Sequence, residues 1–179
     1  MLKQVQHDEK VRSQDKVWGP GLVECFLFRC PDKSGSPLRY EKKGKAEYLM
    51  LKRSAKVVFP GIWQCVVGTL EQGEEILKGM KREIKEETGL NPRKMWWLES
   101  SAVAYRPKMD RLLPVAFFAG EVGFEEKVKL SDEHVAYKWV PFLTALRMLR
   151  WRTQKIAIAE ADQVIVRRDK KLNKDLEIE

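Results

Sequence analysis

The chain has 179 residues, 44% hydrophobic and 34% charged, with a formal net charge of +8. That length fits one domain with a substantial core, and no apolar run approaches the roughly 18 to 20 residues of a membrane span. The opening MLKQVQHDEKVRSQDK is polar and lacks the apolar centre of a secretory signal, so a cytoplasmic location is expected.

In chain order, residues 1–16 read as a polar extension, 17–168 as one domain and 169–179 as a charged tail expected to fray. Leu22 to Cys30 and Glu47 to Arg53 read as strands. Between them Pro31 to Lys45, rich in Gly, Ser, Pro and Lys, reads as a long mobile hairpin loop. A third strand, Trp63 to Val67, runs into a loop and a helix. Lys94 to Tyr105 and Leu112 to Val122 give two more strands, turned by Arg106 to Arg111. Ala136 to Val140 is a short strand, and Pro141 to Arg150 a helix whose first residue is proline. Apolar residues at Ile156, Ala159 and Val164 mark a closing helix over Trp151 to Arg167. This order predicts an α+β fold, an α/β/α sandwich with a mixed sheet between helices. Cys25, Cys30 and Cys65 lie in or at the ends of strands and are odd in number, which predicts buried free thiols. The basic charge admits nucleic acid. A polyphosphate is also an anion, however, so charge does not choose between nucleotide and RNA.

The most informative stretch is Gly68 to Leu90, GTLEQGEEILKGMKREIKEETGL. At about 100° per residue, Glu83, Glu86 and Glu87 share a sector of roughly 100° on one helix face. Leu77, Met80 and Ile84 form an adjoining apolar stripe that can pack on a sheet. Three carboxylates so close repel one another and hold on to protons unless a divalent cation compensates them. Oxygen ligands without His or Cys favour Mg²⁺ or Mn²⁺ over Zn²⁺. Arg82 is placed to hold a carboxylate in its metal-binding orientation. Gly68 and Gly73 bracket a loop that must turn sharply, the Gly68 carbonyl can supply a metal oxygen, and Gly89 is the left-handed residue that ends the helix.

The spacing Gly68, Glu74, Arg82-Glu83-Ile84-Lys85-Glu86-Glu87-Thr88-Gly89-Leu90 matches the Nudix box at every fixed position, and the chain resembles a Nudix hydrolase over about Lys16 to Arg168. The phrase Trp63-Gln64-Cys65-Val66-Val67-Gly68 and the run Glu133 to Trp139 are similar to dihydroneopterin triphosphate diphosphatases and the dATP pyrophosphohydrolase-like group. The resemblance implies Glu83, Glu86 and Glu87 as metal ligands. It makes Glu133 either a fourth ligand or base, or else a loop acid. His134 either hydrogen-bonds the site or is structural. Arg53 matches an arginine that contacts substrate phosphate, the alternative being a solvated strand end. Trp63 either stacks on a pterin or purine ring or belongs to the core, while Trp96, Trp97, Trp139 and Trp151 read as packing residues.

The implied activity is Mg²⁺-dependent cleavage of a small (deoxy)nucleoside or pterin triphosphate to monophosphate and pyrophosphate, with no membrane partner. An RNA 5′-end pyrophosphohydrolase, or a non-catalytic nucleotide or RNA sensor on the same fold, are the alternatives.

Overall fold

The computed structural model describes residues 17–30, 46–166 and 174–178. The proposed extension at 1–16 and the loop at 31–45 lie outside them. Among the described residues, no helix is long and apolar enough to cross a membrane.

Among the described residues, eight strands form one mixed sheet: β1 (Leu22–Arg29), β2 (Glu47–Arg53), β3 (Trp63–Gln64), β4 (Val66–Thr69), β5 (Lys94–Arg106), β6 (Arg111–Glu121), β7 (His134–Pro141) and β8 (Glu177–Ile178). The helices are α1 (Ile76–Thr88), α2 (Phe142–Met148) and α3 (Arg152–Glu160), the last running into a π-helical turn over Ala161–Val166. The main path is β3-β2-β1-β6-β5-β8, with β7 on β2 and β4 on β1. β1 and β6 run parallel, and the other pairings are antiparallel.

Both faces of the sheet are covered, so β1 is apolar almost throughout instead of alternating. Val23, Cys25 and Leu27 pack with Met80 and Ile84 of α1, while Phe26 and Phe28 pack with Ala145 and Leu149, and with Ala157 and Ile158 of α3. Met80 and Ile84 are wholly buried, each stabilising the docking of α1 by about 1.5–3 kcal/mol. Thr88 closes α1: its hydroxyl donates to the Ile84 carbonyl at 2.6 Å and accepts from the Leu90 N–H at 3.2 Å. Gly89 follows at φ 69°, with its N–H on the Lys85 carbonyl. The Thr-Gly-Leu exit of the box is therefore a helix stop that seats Leu90 in the core.

Several expectations change. The third strand breaks at Cys65: β3 pairs with β2 through Leu51 and Lys52, whereas β4 pairs with β1 through Leu22 to Cys25. Because β1 meets β2 only at Phe28 and Arg29, the sheet forks, and the chain crosses the fork at Cys65. Pro141 ends β7 and caps α2 in an extended conformation, so it precedes the helix. The closing helix stops being α-helical at Glu160. Residues 174–178 do not fray: β8 pairs with β5 at Met95 and Trp96, because Leu176 is buried in the cluster on the α2–α3 face while Ile178 packs on the α1 face, anchoring a charged segment on both sides of the sheet. Of the four tryptophans read as packing, Trp96 is buried and Trp139 packs on the α1 face, but Trp97 and Trp151 are 44% and 37% exposed. None of Cys25, Cys30 and Cys65 is in a disulfide, and Cys25 and Cys65 are buried.

Candidate active site

The packing of Met80 and Ile84 fixes the rotation of α1, and with it the positions of the three glutamates. They are not equivalent. Glu86 faces solvent, Glu83 lies against β4, and Glu87 is buried at 3% exposure.

Gly68 is what allows Glu83 to lie there. A Cβ at Gly68 would come within 2.0 Å of Glu83 Cγ and 2.6 Å of its Oε1. Gly68 is thus a strand residue required for close approach, and the sharp turn belongs to Gly73, at φ 77°. The Thr69 N–H donates to Glu83 Oε1 at 3.2 Å, which ties the carboxylate to the strand.

Arg82 organises the cluster. Its Nε and Nη2 donate to the two carboxylate oxygens of Glu74, each at 2.9 Å, a bidentate pair. Nη1 is shared between Glu83 Oε1 at 2.9 Å and Glu86 Oε2 at 3.0 Å, and Nη2 also reaches the Thr69 carbonyl at 3.2 Å. One guanidinium joins the loop, the strand and two of the helix carboxylates. The grip pulls Glu74 down to about 2, chiefly through the Arg82 hydrogen bond. Glu74 is the residue that sequence reasoning left without a role. The signal was available, since Glu74 is the only other fixed acid of the box.

Glu87 sits differently. Burial first, then the charges of Glu83 and Glu133, push its carboxyl well above the usual range, against a backbone hydrogen bond from Val67 and the charge of Arg53. Among the described residues its Oε2 has no hydrogen-bond partner. The β2–β7 pairing, with an irregularity between Lys52 and Arg53, sets Arg53 against His134, and the Ser54 N–H donates to the Glu133 carbonyl at 2.8 Å. Glu133 and Arg53, distant in sequence, are thereby brought to the buried carboxylate. Arg53 is half-buried, its Nε held by the Val58 carbonyl at 2.6 Å. His134 is buried, both ring nitrogens lack a partner among the described residues, and burial, then Arg53, lower it to about 4. It is therefore neutral near pH 7. Trp63 stands apart from this group, half-buried against the α2–α3 face with the Lys138 ammonium 5.3 Å from its ring centroid.

The donor set of Glu83, Glu86, Glu87, Glu133 and the Gly68 carbonyl is all oxygen, and one buried carboxylate oxygen is orphaned. Both features fit a hard divalent cation. Among the described residues, no three His, Cys, Asp or Glu side chains already converge as a cage, because Glu83 and Glu86 are turned onto Arg82. Beside the loop, an open groove of about 760 Å³ runs between Trp18 to Gly21 and Leu70 to Glu74.

Similar proteins identify the family and the fold. The NUDIX domain family model matches residues 36–160. The octanoyltransferase of Myxococcus xanthus is 32% identical over 102 residues, which is 56% of this chain but only 29% of that protein. The asymmetrical bis(5′-nucleosyl)-tetraphosphatase of Mus musculus is 24% identical over 121 residues, 66% of this chain and 80% of that protein. Among solved structures, a NUDIX hydrolase of Listeria monocytogenes superposes with TM-score 0.65 at 24% identity, covering 90% of this chain and 100% of that one. The dihydroneopterin triphosphate pyrophosphohydrolase of E. coli superposes with TM-score 0.58 at 20% identity, covering 84% and 99%. At these identities the superpositions show the fold.

Proposed function

The chain belongs to the NUDIX domain family, hydrolases acting on phosphoric anhydrides, and from that premise we propose that it is a Mg²⁺-dependent pyrophosphohydrolase cleaving a small (deoxy)nucleoside or pterin triphosphate to monophosphate and pyrophosphate. The observation that carries the proposal is the orphaned, buried carboxylate of Glu87 beside Arg53 and Glu133, behind the Arg82-held pair Glu83 and Glu86. The unit assigned to the activity is residues 17–168, to which β8 adds an edge strand.

Glu83, Glu86 and Glu87 would hold Mg²⁺ or Mn²⁺, with the Gly68 carbonyl and Glu133 as further oxygens. Bound there, the ion supplies positive charge for the diphosphate and acidifies water. The protein's own groups do the rest. Arg82 keeps Glu83 and Glu86 oriented, and Arg53 offsets charge on the transferring phosphoryl group. One glutamate, Glu133 or a member of the α1 cluster, accepts the proton of the attacking water. That water attacks phosphorus in line, the P–O bond to the leaving group breaks, and pyrophosphate departs. Trp63 is assigned to the ring of the substrate, in keeping with its half-buried face.

Two outcomes follow. Arg82→Ala should lower kcat about tenfold, a smaller loss than removal of a carboxylate, because it misorients ligands without deleting one; steady-state rates at saturating Mg²⁺ check this. Trp63→Ala should raise KM more than it lowers kcat, since stacking on a ring remote from phosphorus acts on ground state and transition state alike. An equal fall in kcat with KM unchanged would remove Trp63 from the substrate site.

The substrate is tested by kcat/KM over a panel of triphosphates, sugar diphosphates, dinucleoside polyphosphates and triphosphorylated RNA. Small triphosphates, dihydroneopterin triphosphate or a purine deoxynucleoside triphosphate foremost, should be cleaved best. The similarity to the mouse tetraphosphatase favours a second reading, a dinucleoside tetraphosphate, which the same panel decides.

A further inference from the structure

The helix α1 covers only part of its side of the sheet. The apolar cluster that it completes reaches Ala116 and Phe118 of β6. Alternation along β6 puts Leu112 and Pro114 on the same face, and opposite them, on β5, stand Tyr105 and Val103. These two are 57% and 56% exposed, and Trp18, bridged to Leu112, is 48% exposed. The end of the β5–β6 hairpin thus presents an apolar face to solvent.

β5 is also an edge. Among the described residues β8 pairs with it only at Met95 and Trp96. The Glu160 carboxylate then accepts from the N–H groups of Glu99 and Ser100 at 2.7 and 3.0 Å. Beyond Ser100, no described strand lies on the side turned away from β6. Edges of this kind are commonly blunted by lysine, proline or a bulge. The run Ser101-Ala102-Val103-Ala104-Tyr105 has no charge and no proline, and the register irregularity of β5 lies before it, between Trp97 and Ser101. Its two ends are oppositely charged. Exposed Glu99 precedes it, and Arg106 and exposed Lys108 follow it.

We infer that this edge docks a second copy of the chain, the two β5 strands pairing antiparallel about a two-fold axis at Val103 so that the sheets of the two copies join. The strand is complementary to itself. About that axis Val103 meets Val103 and Ser101 meets Tyr105, a small side chain opposite a large one, while on the other face Ala102 meets Ala104. Glu99 comes beside the Arg106-Pro107-Lys108 turn of the second copy, so both ends of the pairing bring opposite charges together. Tyr105 is already held, its hydroxyl donating to Asp110 Oδ1 at 3.0 Å, and little side-chain freedom is lost on docking. A two-fold contact of this kind is complete with two copies and does not propagate. It also braces the hairpin that lines the groove beside Glu74 with Met109 and Arg111.

Sedimentation velocity of the full chain, without substrate or metal ion, tests the inference. At about 50 µM the parent should sediment as a dimer of 20.9 kDa chains. Val103→Lys and Val103→Glu each set like charges face to face on the axis, and each should raise the dissociation constant about 10- to 100-fold. An equimolar mixture of the two variants should recover the dimer, because opposite charges then meet, and that recovery also shows that both variants fold. A monomeric parent, open assemblies larger than a dimer, a dimer indifferent to both substitutions, or a mixture that stays monomeric would each overturn the inference.

Discussion

Glu87→Gln should lower kcat by about 10²-fold or more at saturating Mg²⁺ and leave the fold intact, because the substitution removes one negative charge without changing volume. Of the three helix carboxylates, Glu87 is the one expected to matter most. Glu83 and Glu86 are neutralised in part by Arg82, and Glu86 lies in water, whereas Glu87 is buried, feels the charges of Glu83 and Glu133, and has an oxygen with no partner among the described residues. A buried carboxylate in that state is costly to the fold, and its retention makes sense if a cation compensates it. The same reasoning adds a stability result: without a divalent ion, Glu87→Gln should melt at or above the temperature of the parent, since it removes that cost. Turnover within a few-fold of the parent would remove Glu87 from the site, whatever its melting temperature.

Glu24→Gln should raise stability at alkaline pH by an amount that vanishes in acid. Burial, opposed by the hydrogen bonds of Gln154 and Cys65, raises the Glu24 carboxyl from 4.5 to about 7. The folded state thus holds this proton more tightly than the unfolded chain. Its contribution is fully present below pH 4.5, falls as pH rises, and is lost once pH passes about 7. At about 1.4 kcal/mol per pK unit, the loss is on the order of 3 kcal/mol, or about 6–12 °C for a chain of this size. The melting temperatures of parent and variant, measured from about pH 4.5 to pH 8, should therefore diverge with rising pH, the variant standing higher. Parallel curves would mean that Glu24 is solvated in the folded chain.

The helix of the box was readable because its arrangement is encoded in spacing. A period of 3.6 residues places Glu83, Glu86 and Glu87 together and Met80 and Ile84 beneath them, and the structure keeps both arrangements. What spacing cannot carry is the difference among the three acids, which depends on where β4 lies and on where Arg82 spends its donors. Gly68 shows the same limit. As a letter it reads as a turn, yet its place in the fold is a strand on which Glu83 rests. Arg53 and Glu133 were visible only by resemblance, and their approach to Glu87 depends on the β2–β7 register. Glu24 carried a local signal that went unread: in LVECFLFR it is the one acid on a face shared with Leu22, Phe26 and Phe28. Its partner Gln154 is far along the chain, so only the fold reveals the pair. The break at Cys65 was equally hidden, since an apolar run looks the same whether it serves one neighbouring strand or crosses between two.

The most direct test of the central assignment is pyrophosphate release from a deoxynucleoside triphosphate, followed with and without Mg²⁺ for the parent chain and for Glu83→Gln, Glu86→Gln and Glu87→Gln. The account predicts that the parent releases pyrophosphate and monophosphate only when the ion is present, and that each substitution reduces the rate, Glu87→Gln most. Release that persists undiminished without a divalent ion, or that survives all three substitutions, would contradict it.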